Sequence, residues 1–164
     1  MSGSFQVRVE GVQFAAAHCA TIGETCEPMH GHSYEVAAEV DGALAENSWV
    51  VDFVELKSIL RKLCHELDHR FMLQTESRIL KIESREGEWE VRTPAGAVYV
   101  LPASDVVALP IDNTTAERLA QWLSGRVWQA VGKKAVNNIK AVTVEVWEGP
   151  GQRAAHRRER LPVD

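Results

Sequence analysis

The stretch from Thr25 to Val36 reads TCEPMHGHSYEV and changes character half-way. Its first half sets a thiol, Cys26, beside a carboxylate, Glu27, and then a proline. Its second half opens a period-two pattern. Tyr34, Val36, Ala38 and Val40 alternate with Ser33, Glu35, Ala37, Glu39 and Asp41, the signature of a strand with one buried face. His30 and His32 lie two residues apart, so in extended chain they project from the same face. Gly31 between them leaves room for close approach. Two adjacent imidazoles suit a divalent metal, zinc above all. Read from the pair alone, exposed loop histidines are the commoner outcome, and a third imidazole is what brings the metal reading level with it.

The preceding segment supplies a third imidazole. Phe5, Val7 and Val9 alternate with Gln6, Arg8 and Glu10, so Phe5 to Val12 reads as a strand. His18, in FAAAHC, closes it. A catalytic zinc takes three protein ligands and keeps one position open, and His18 with His30 and His32 meets that count. The residues between, His18 to Met29, are rich in Gly, Thr, Glu and Pro and read as a loop.

The period then changes. In VVDFVELKSILRKLCHELDHR, Phe53, Leu56, Ile59, Leu60, Leu63 and Leu67 recur at three- and four-residue steps, which predicts a helix ending near Leu67. Asp52 and Glu55 have capping-box spacing at its start. A second helix begins in NTTAERLAQWL, with Thr114 and Glu117 as its capping box, and ends by Gly132. KAVTVEVWE, Lys140 to Glu148, is a strand with Val142, Val144 and Val146 on one face, stopped by Gly-Pro-Gly. Between the helices, residues 74–110 read as an inserted β excursion broken at Glu86-Gly87 and at Pro94 to Gly96. The expected class is α+β with an antiparallel sheet, in a single domain over residues 1–164.

Composition narrows the function classes. The chain has 164 residues, 45% of them hydrophobic and 25% charged, with a net charge of -5 and a pI near 5.7. A mildly acidic domain of average composition is a poor default partner for nucleic acid or an anionic membrane. The MSGSFQVRVE terminus has neither a basic start nor an apolar stretch, so no secretory leader is expected. No run approaches the ~20 apolar residues that span a bilayer. Cys19, Cys26 and Cys64 are odd in number and lack framework spacing, which points to a reducing cytoplasm.

Other chemistry-bearing residues have two readings each. Cys26 is a nucleophile, base or ligand near the histidines, or a small buried hydrophobe. Cys19 and Cys64 fit the buried reading better. Glu27 is a second base or a solvated loop carboxylate. Asp68 and His69, in LDHR, form a proton relay, or simply end a helix with cations that complement its dipole. His65 reads as surface, Glu148 as a strand-end carboxylate, and His156 with RRER as a polar terminus.

Taken together, FAAAH, CEPMHGHSYEV, VVDFVELK, LDHR, NTTAERLAQWL and VTVEVWE fall in an order that resembles the 6-pyruvoyl-tetrahydropterin synthase and 6-carboxy-tetrahydropterin synthase family. The resemblance implies a tunnelling fold, an antiparallel four-stranded sheet with two helices on one side. It implies a homohexamer built as a dimer of trimers, with active sites at subunit interfaces. It implies zinc on His18, His30 and His32, and 7,8-dihydroneopterin triphosphate as substrate. By position it implies Cys26 as the catalytic thiol and Asp68 and His69 as its acid/base partners. Glu148 then anchors the pterin, and Thr114 and Thr115 lie where the backbone meets it.

The gap in CEPMHGH resembles the 6-carboxy-tetrahydropterin synthases of queuosine synthesis. The alternative is the pyruvoyl-forming enzymes, whose gap is typically longer. Glu27 also creates the E-x-x-H-G-H pattern of the subgroup that forms 6-hydroxymethyl-dihydropterin for folate, and chains with both resemble a dual subgroup. A non-catalytic pterin-binding protein of the same fold is the remaining alternative. Two departures stand out: the 74–110 insertion is unusual against the short bacterial enzymes, and WEGPG replaces the family's more usual Glu-Thr.

Overall fold

The computed structural model describes residues 4–132 and 138–160, so Met1 to Gly3 of the MSGSF terminus fall outside it. Its elements run β1 (Phe5–His18), β2 (Thr21–Ile22), β3 (Thr25–Cys26), β4 (His30–Gly42) and α1 (Phe53–Leu67). They continue as β5 (Arg70–Gln74), β6 (Lys81–Arg85), β7 (Glu88–Arg92), β8 (Val98–Pro102) and β9 (Val106–Leu109). The chain closes with α2 (Ala116–Gly132), β10 (Ile139–Gly149) and β11 (Gln152–Glu159).

The first strand is longer than its alternation suggests. Its inward residues are odd-numbered up to Val9 and even-numbered from Val12 through Phe14, Ala16 and His18. A β-bulge between Val9 and Val12 makes the switch, with Gly11 at φ 71°. Glycine reaches that left-handed region without steric cost. One inserted residue thus carries His18 onto the face that Val7 and Val9 began.

Beyond the expected four antiparallel strands, the sheet has six, ordered β11-β10-β4-β1-β5-β9. The first four pair antiparallel, while β5 pairs parallel with both β1 and β9. Both helices pack on one face. There Leu56, Leu60, Leu63 and Leu67 of α1 and Leu119, Leu123 and Val127 of α2 share a core with Phe14, Val36, Val40, Val142 and Val144. Burying each leucine contributes ~1.5–3 kcal/mol, and truncating one such as Leu60 to alanine costs about 2–5 kcal/mol. Asp52 caps α1: its Oδ1 accepts from the amides of Val54 at 2.6 Å and Glu55 at 3.1 Å.

Two local expectations also need correction. The cap of α2 is Thr115 rather than Thr114, because the Thr114 side chain is turned inward and fully buried. The polar terminus is strand β11, which pairs with β10 along its length. QRAAHRRE carries no apolar alternation, and its exposure explains why pattern alone misses it.

The excursion is a small antiparallel sheet, β6-β7-β8. Its turns fall at the expected Glu86-Gly87 and Pro94–Gly96. The flanking β5 and β9 belong instead to the main sheet. Leu80, Ile82, Trp89, Val91, Tyr99 and Leu101 form a second core with Phe71, Leu73, Val106 and Cys19. Strand β5 is therefore covered on both faces, with Met72 turned to the first core and Phe71 and Leu73 to the second.

Candidate active site

The inward face of the main sheet is apolar along most of its length and turns polar at one end. Phe14 and Tyr34 stack with ring centroids 4.7 Å apart. The next inward positions are His18 on β1 and His32 and His30 on β4. Their rings pack with centroids 4.6, 5.3 and 5.0 Å apart, and one nitrogen from each lies within 4.8 Å of the others. Strand register makes this cluster: Ala16 pairs with His32 and His18 with His30. Gly31 is required there, since a Cβ on it would lie 2.7 Å from the Ala16 carbonyl oxygen.

Two of the rings are oriented by backbone. His18 Nδ1 donates to the Thr114 carbonyl at 3.1 Å, and His30 Nδ1 to the Pro28 carbonyl at 2.8 Å. A carbonyl only accepts, so in each neutral ring the proton sits on Nδ1 and Nε2 is left as a lone pair. Those two Nε2 atoms face each other at 3.2 Å. Two nitrogens bound tetrahedrally to one zinc at 2.0–2.1 Å stand roughly 3.3–3.4 Å apart. The pair therefore suits a shared cation and repels without one. His18 is 1% exposed, and burial, helped by His30, lowers its pKa to about 4. It is a neutral ligand at physiological pH.

The histidines form one wall of a cleft of about 500 Å³. Glu27 lines it, with Oε2 3.9 Å from His30 Nε2. Glu148, at the end of β10, lines it as well, and burial pushes its carboxyl above the usual range, with Glu117 and Glu27 adding to the rise. Thr115 and Glu117 come from the start of α2, and Arg153 from β11. Beneath the cleft the Tyr34 hydroxyl is buried with no partner among the described residues.

The other sequence-derived residues lie elsewhere. Cys26 does not line the cleft: its Sγ–H donates to the Glu27 carbonyl at 3.3 Å, and the side chain packs against the second core. Burial pushes its thiol pKa up. Adjacent residues in extended chain project to opposite sides, so the turn that brings Glu27 into the cleft takes Cys26 away from it. Cys19 and Cys64 are buried, as expected.

Asp68 ends α1. Its Oδ1 accepts from the Ala15 amide at 2.8 Å and its Oδ2 pairs with His69 Nδ1 at 2.9 Å. The Ala15 hydrogen bond and then His69 hold its carboxyl below the usual range. The His69 side chain is 83% exposed, and neither residue lines this chain's cleft. Thr114 sits behind His18 rather than in the cleft. Glu117 and Arg153 were not singled out from the sequence as site residues. Glu117 is a polar first-turn residue of a helix whose start borders the histidines, which is the one sequence signal it offers.

Comparison with known proteins agrees with this architecture. The family model of 6-pyruvoyl tetrahydropterin synthase matches residues 6–159. A putative 6-carboxy-5,6,7,8-tetrahydropterin synthase of Methanocaldococcus jannaschii is 33% identical over 90% of this chain and 91% of its own. A dihydroneopterin monophosphate aldolase of Pyrococcus furiosus is 27% identical over 83% of each. Among solved structures, Plasmodium falciparum 6-pyruvoyl tetrahydropterin synthase superposes with a TM-score of 0.90 at 29% identity, covering 98% of this chain and 100% of that one. The Plasmodium vivax enzyme, in a variant whose catalytic glutamate is changed to alanine, gives 0.90 at 25% identity over 96% and 99%. Coverage of 98% leaves no room for the β6-β7-β8 excursion to be peculiar to this chain.

Proposed function

The chain belongs to the 6-pyruvoyl tetrahydropterin synthase family, and on that premise we propose that it is a zinc-dependent lyase converting 7,8-dihydroneopterin triphosphate to 6-carboxy-5,6,7,8-tetrahydropterin. The observation that carries this reading is the opposed pair of Nε2 lone pairs of His18 and His30 inside a cleft that also holds Glu148. The relatives named 6-carboxy-5,6,7,8-tetrahydropterin synthase support the product.

In this reading His18, His30 and His32 hold the ion, which supplies Lewis-acid polarisation of the substrate's side-chain oxygens. Glu148 accepts two N–H bonds from the 2-amino-pyrimidine edge of the pterin and so fixes the ring. Glu27 takes the proton that leaves the side-chain carbon. A base must stand within hydrogen-bond reach of that proton, and of the two adjacent candidates Glu27 is the one lining the cleft. Asp68 and His69 act from a neighbouring subunit of a homohexamer, a placement favoured by the exposure of His69 and by the absence of both residues from the lining of this chain's cleft. The setting is a reducing cytoplasm.

With Cys26 turned away from the cleft, a second reading on a dihydroneopterin phosphate has support of its own. Side-chain cleavage to 6-hydroxymethyl-dihydropterin needs a base at the position of Glu27 and no thiol. The Plasmodium vivax enzyme with a glutamate as its catalytic residue and the aldolase of Pyrococcus furiosus support it. Incubating zinc-loaded protein with 7,8-dihydroneopterin triphosphate and identifying pterins by mass separates the readings. A 6-carboxy-tetrahydropterin peak with acetaldehyde supports the first, a 6-hydroxymethyl peak the second, and both peaks a dual enzyme. Binding of pterin without turnover leaves a non-catalytic pterin-binding protein.

A further inference from the structure

Gln74 is a fully buried polar side chain at the end of β5, outside the cleft and unused by the chemistry above. Strand β5 reaches this point beside the end of β1, since Ala17 pairs with Phe71 and both strands run the same way. Its alternation turns Gln74 to the same side as Met72, toward the backs of the histidines. There it meets two groups. Gln74 Nε2 donates to the Cys19 carbonyl at 2.8 Å, and Gln74 Oε1 accepts from the Thr114 hydroxyl at 3.5 Å.

The directions of these bonds are forced. The Cys19 carbonyl only accepts, so it faces the amide nitrogen of Gln74, and the amide oxygen is left for Thr114. The Thr114 hydroxyl has one proton. Directed at Gln74, that proton is not available for His18, and the hydroxyl presents only lone pairs to His18 Nδ1 at 3.1 Å. The Thr114 carbonyl, also 3.1 Å from Nδ1, accepts as well. Both partners of Nδ1 are then acceptors, which holds the proton on Nδ1 and keeps Nε2 bare toward His30. Without Gln74 the hydroxyl is free to turn its proton toward Nδ1, the arrangement that suits the opposite tautomer.

We infer that Gln74 is a positioning residue of the metal centre: through the Thr114 hydroxyl it reinforces the His18 tautomer that the Thr114 carbonyl sets, and through the Cys19 carbonyl it holds the backbone that follows His18. The amide acts at one remove from a ligand, as outer partners of metal-bound histidines do. Asn113 braces the same junction from the other side. Its Oδ1 accepts from the Thr21 amide at 2.9 Å and its Nδ2 donates to the Thr21 carbonyl at 2.7 Å. Gln74 is the member of this clamp that reaches the hydroxyl facing His18.

The inference rests on the reading of the three histidines as a metal site, and its test separates the two. Zinc affinity is measured by chelator competition in the full chain and in Gln74→Met, which keeps length and burial but removes both bonds. The expected result is an affinity lower by ~10–100-fold in the variant, the range typical for loss of an outer partner. Thr114→Val is expected to show a similar loss, and the double variant no more than the single. Unchanged zinc affinity in Gln74→Met, whatever its melting temperature, overturns the inference and leaves the metal site standing. No zinc binding by the unaltered chain overturns both. Should Gln74→Met fail to fold, long-range 1H–15N spectra of the metal-free chain decide. A proton held on Nδ1 of His18 in the unaltered chain, and shared in part with Nε2 once Thr114→Val removes one of its two acceptors, supports the inference. A proton on Nε2 in the unaltered chain contradicts it.

Discussion

His18 and His30 hold their Nε2 atoms 3.2 Å apart while a backbone carbonyl occupies the Nδ1 of each ring. The site is thus shaped for a shared cation, with the two Nε2 lone pairs converging on one point. That arrangement costs stability in the metal-free chain and favours binding, since anything that binds only the folded state stabilises it.

The close approach that creates the pair depends on Gly31. A Cβ there would press within 2.7 Å of the Ala16 carbonyl oxygen, which is backbone and has no room to yield. Gly31→Ala is expected to cost about 1–3 kcal/mol through overpacking and to weaken zinc binding by displacing His30 and His32 together. Thermal unfolding and a zinc titration on the same preparation check both effects. Wild-type affinity in that variant would refute the role.

Acid should destabilise the metal-free chain through His18. In the unfolded chain its pKa is near 6.5, whereas burial lowers it to about 4 in the fold. Between those values the unfolded state binds the extra proton, so stability falls as pH falls. The full loss, complete below pH about 4, is on the order of 3 kcal/mol for a shift of that size. Urea midpoints of chelator-stripped protein from pH 7 to pH 4.5 should decline, and His18→Gln should flatten the decline by about one proton. An identical slope in both would contradict the assignment.

Much of this site is legible in the sequence, and the exceptions have physical causes. His30, His32 and Gly31 lie together in one strand, so their shared face follows from the period of two. His18 joins them only because the bulge at Gly11 shifts β1 by one residue, and an alternation read from Phe5 to Val12 stops short of it. The cap of α2 falls at Thr115 instead of Thr114 because a buried partner, His18, claims the Thr114 side chain. Spacing alone also cannot say which of Cys26 and Glu27 turns inward. The second core, built by a sheet far along the chain, draws the thiol to its own side. The sequence leaves one or two strands open after α2, and the second, β11, cannot be placed by pattern because both its faces are polar.

The turn at Cys26 and Glu27 gives an asymmetric prediction. Glu27→Gln should lower kcat by at least ~100-fold, the usual scale for a positioned base. If the hydroxymethyl product is made, Cys26→Ala should leave its formation within a few-fold of normal. Steady-state rates for each product check this. Full activity in Glu27→Gln would remove the carboxylate from the mechanism.

Glu148 is expected to govern substrate binding rather than turnover. Glu148→Gln keeps the shape but cannot accept two N–H bonds, and charge-assisted bonds contribute ~1.5–3 kcal/mol, so KM should rise by roughly 10- to 100-fold. Its carboxyl is raised by burial and by Glu117 and Glu27. The ionised form needed to accept both bonds is therefore lost above the usual carboxylate range as pH falls. KM should climb on that acid side in the unaltered enzyme and stay flat in Glu148→Gln.

His18, His30 and His32 together are expected to hold one divalent ion on which turnover depends. The direct test is metal content by mass spectrometry alongside turnover of 7,8-dihydroneopterin triphosphate, in the intact chain, after chelation, and in His32→Ala. The expected result is one zinc per chain, activity abolished by chelation and restored by zinc, and neither metal nor activity in His32→Ala. Undiminished turnover by a chain shown to be free of metal would contradict it.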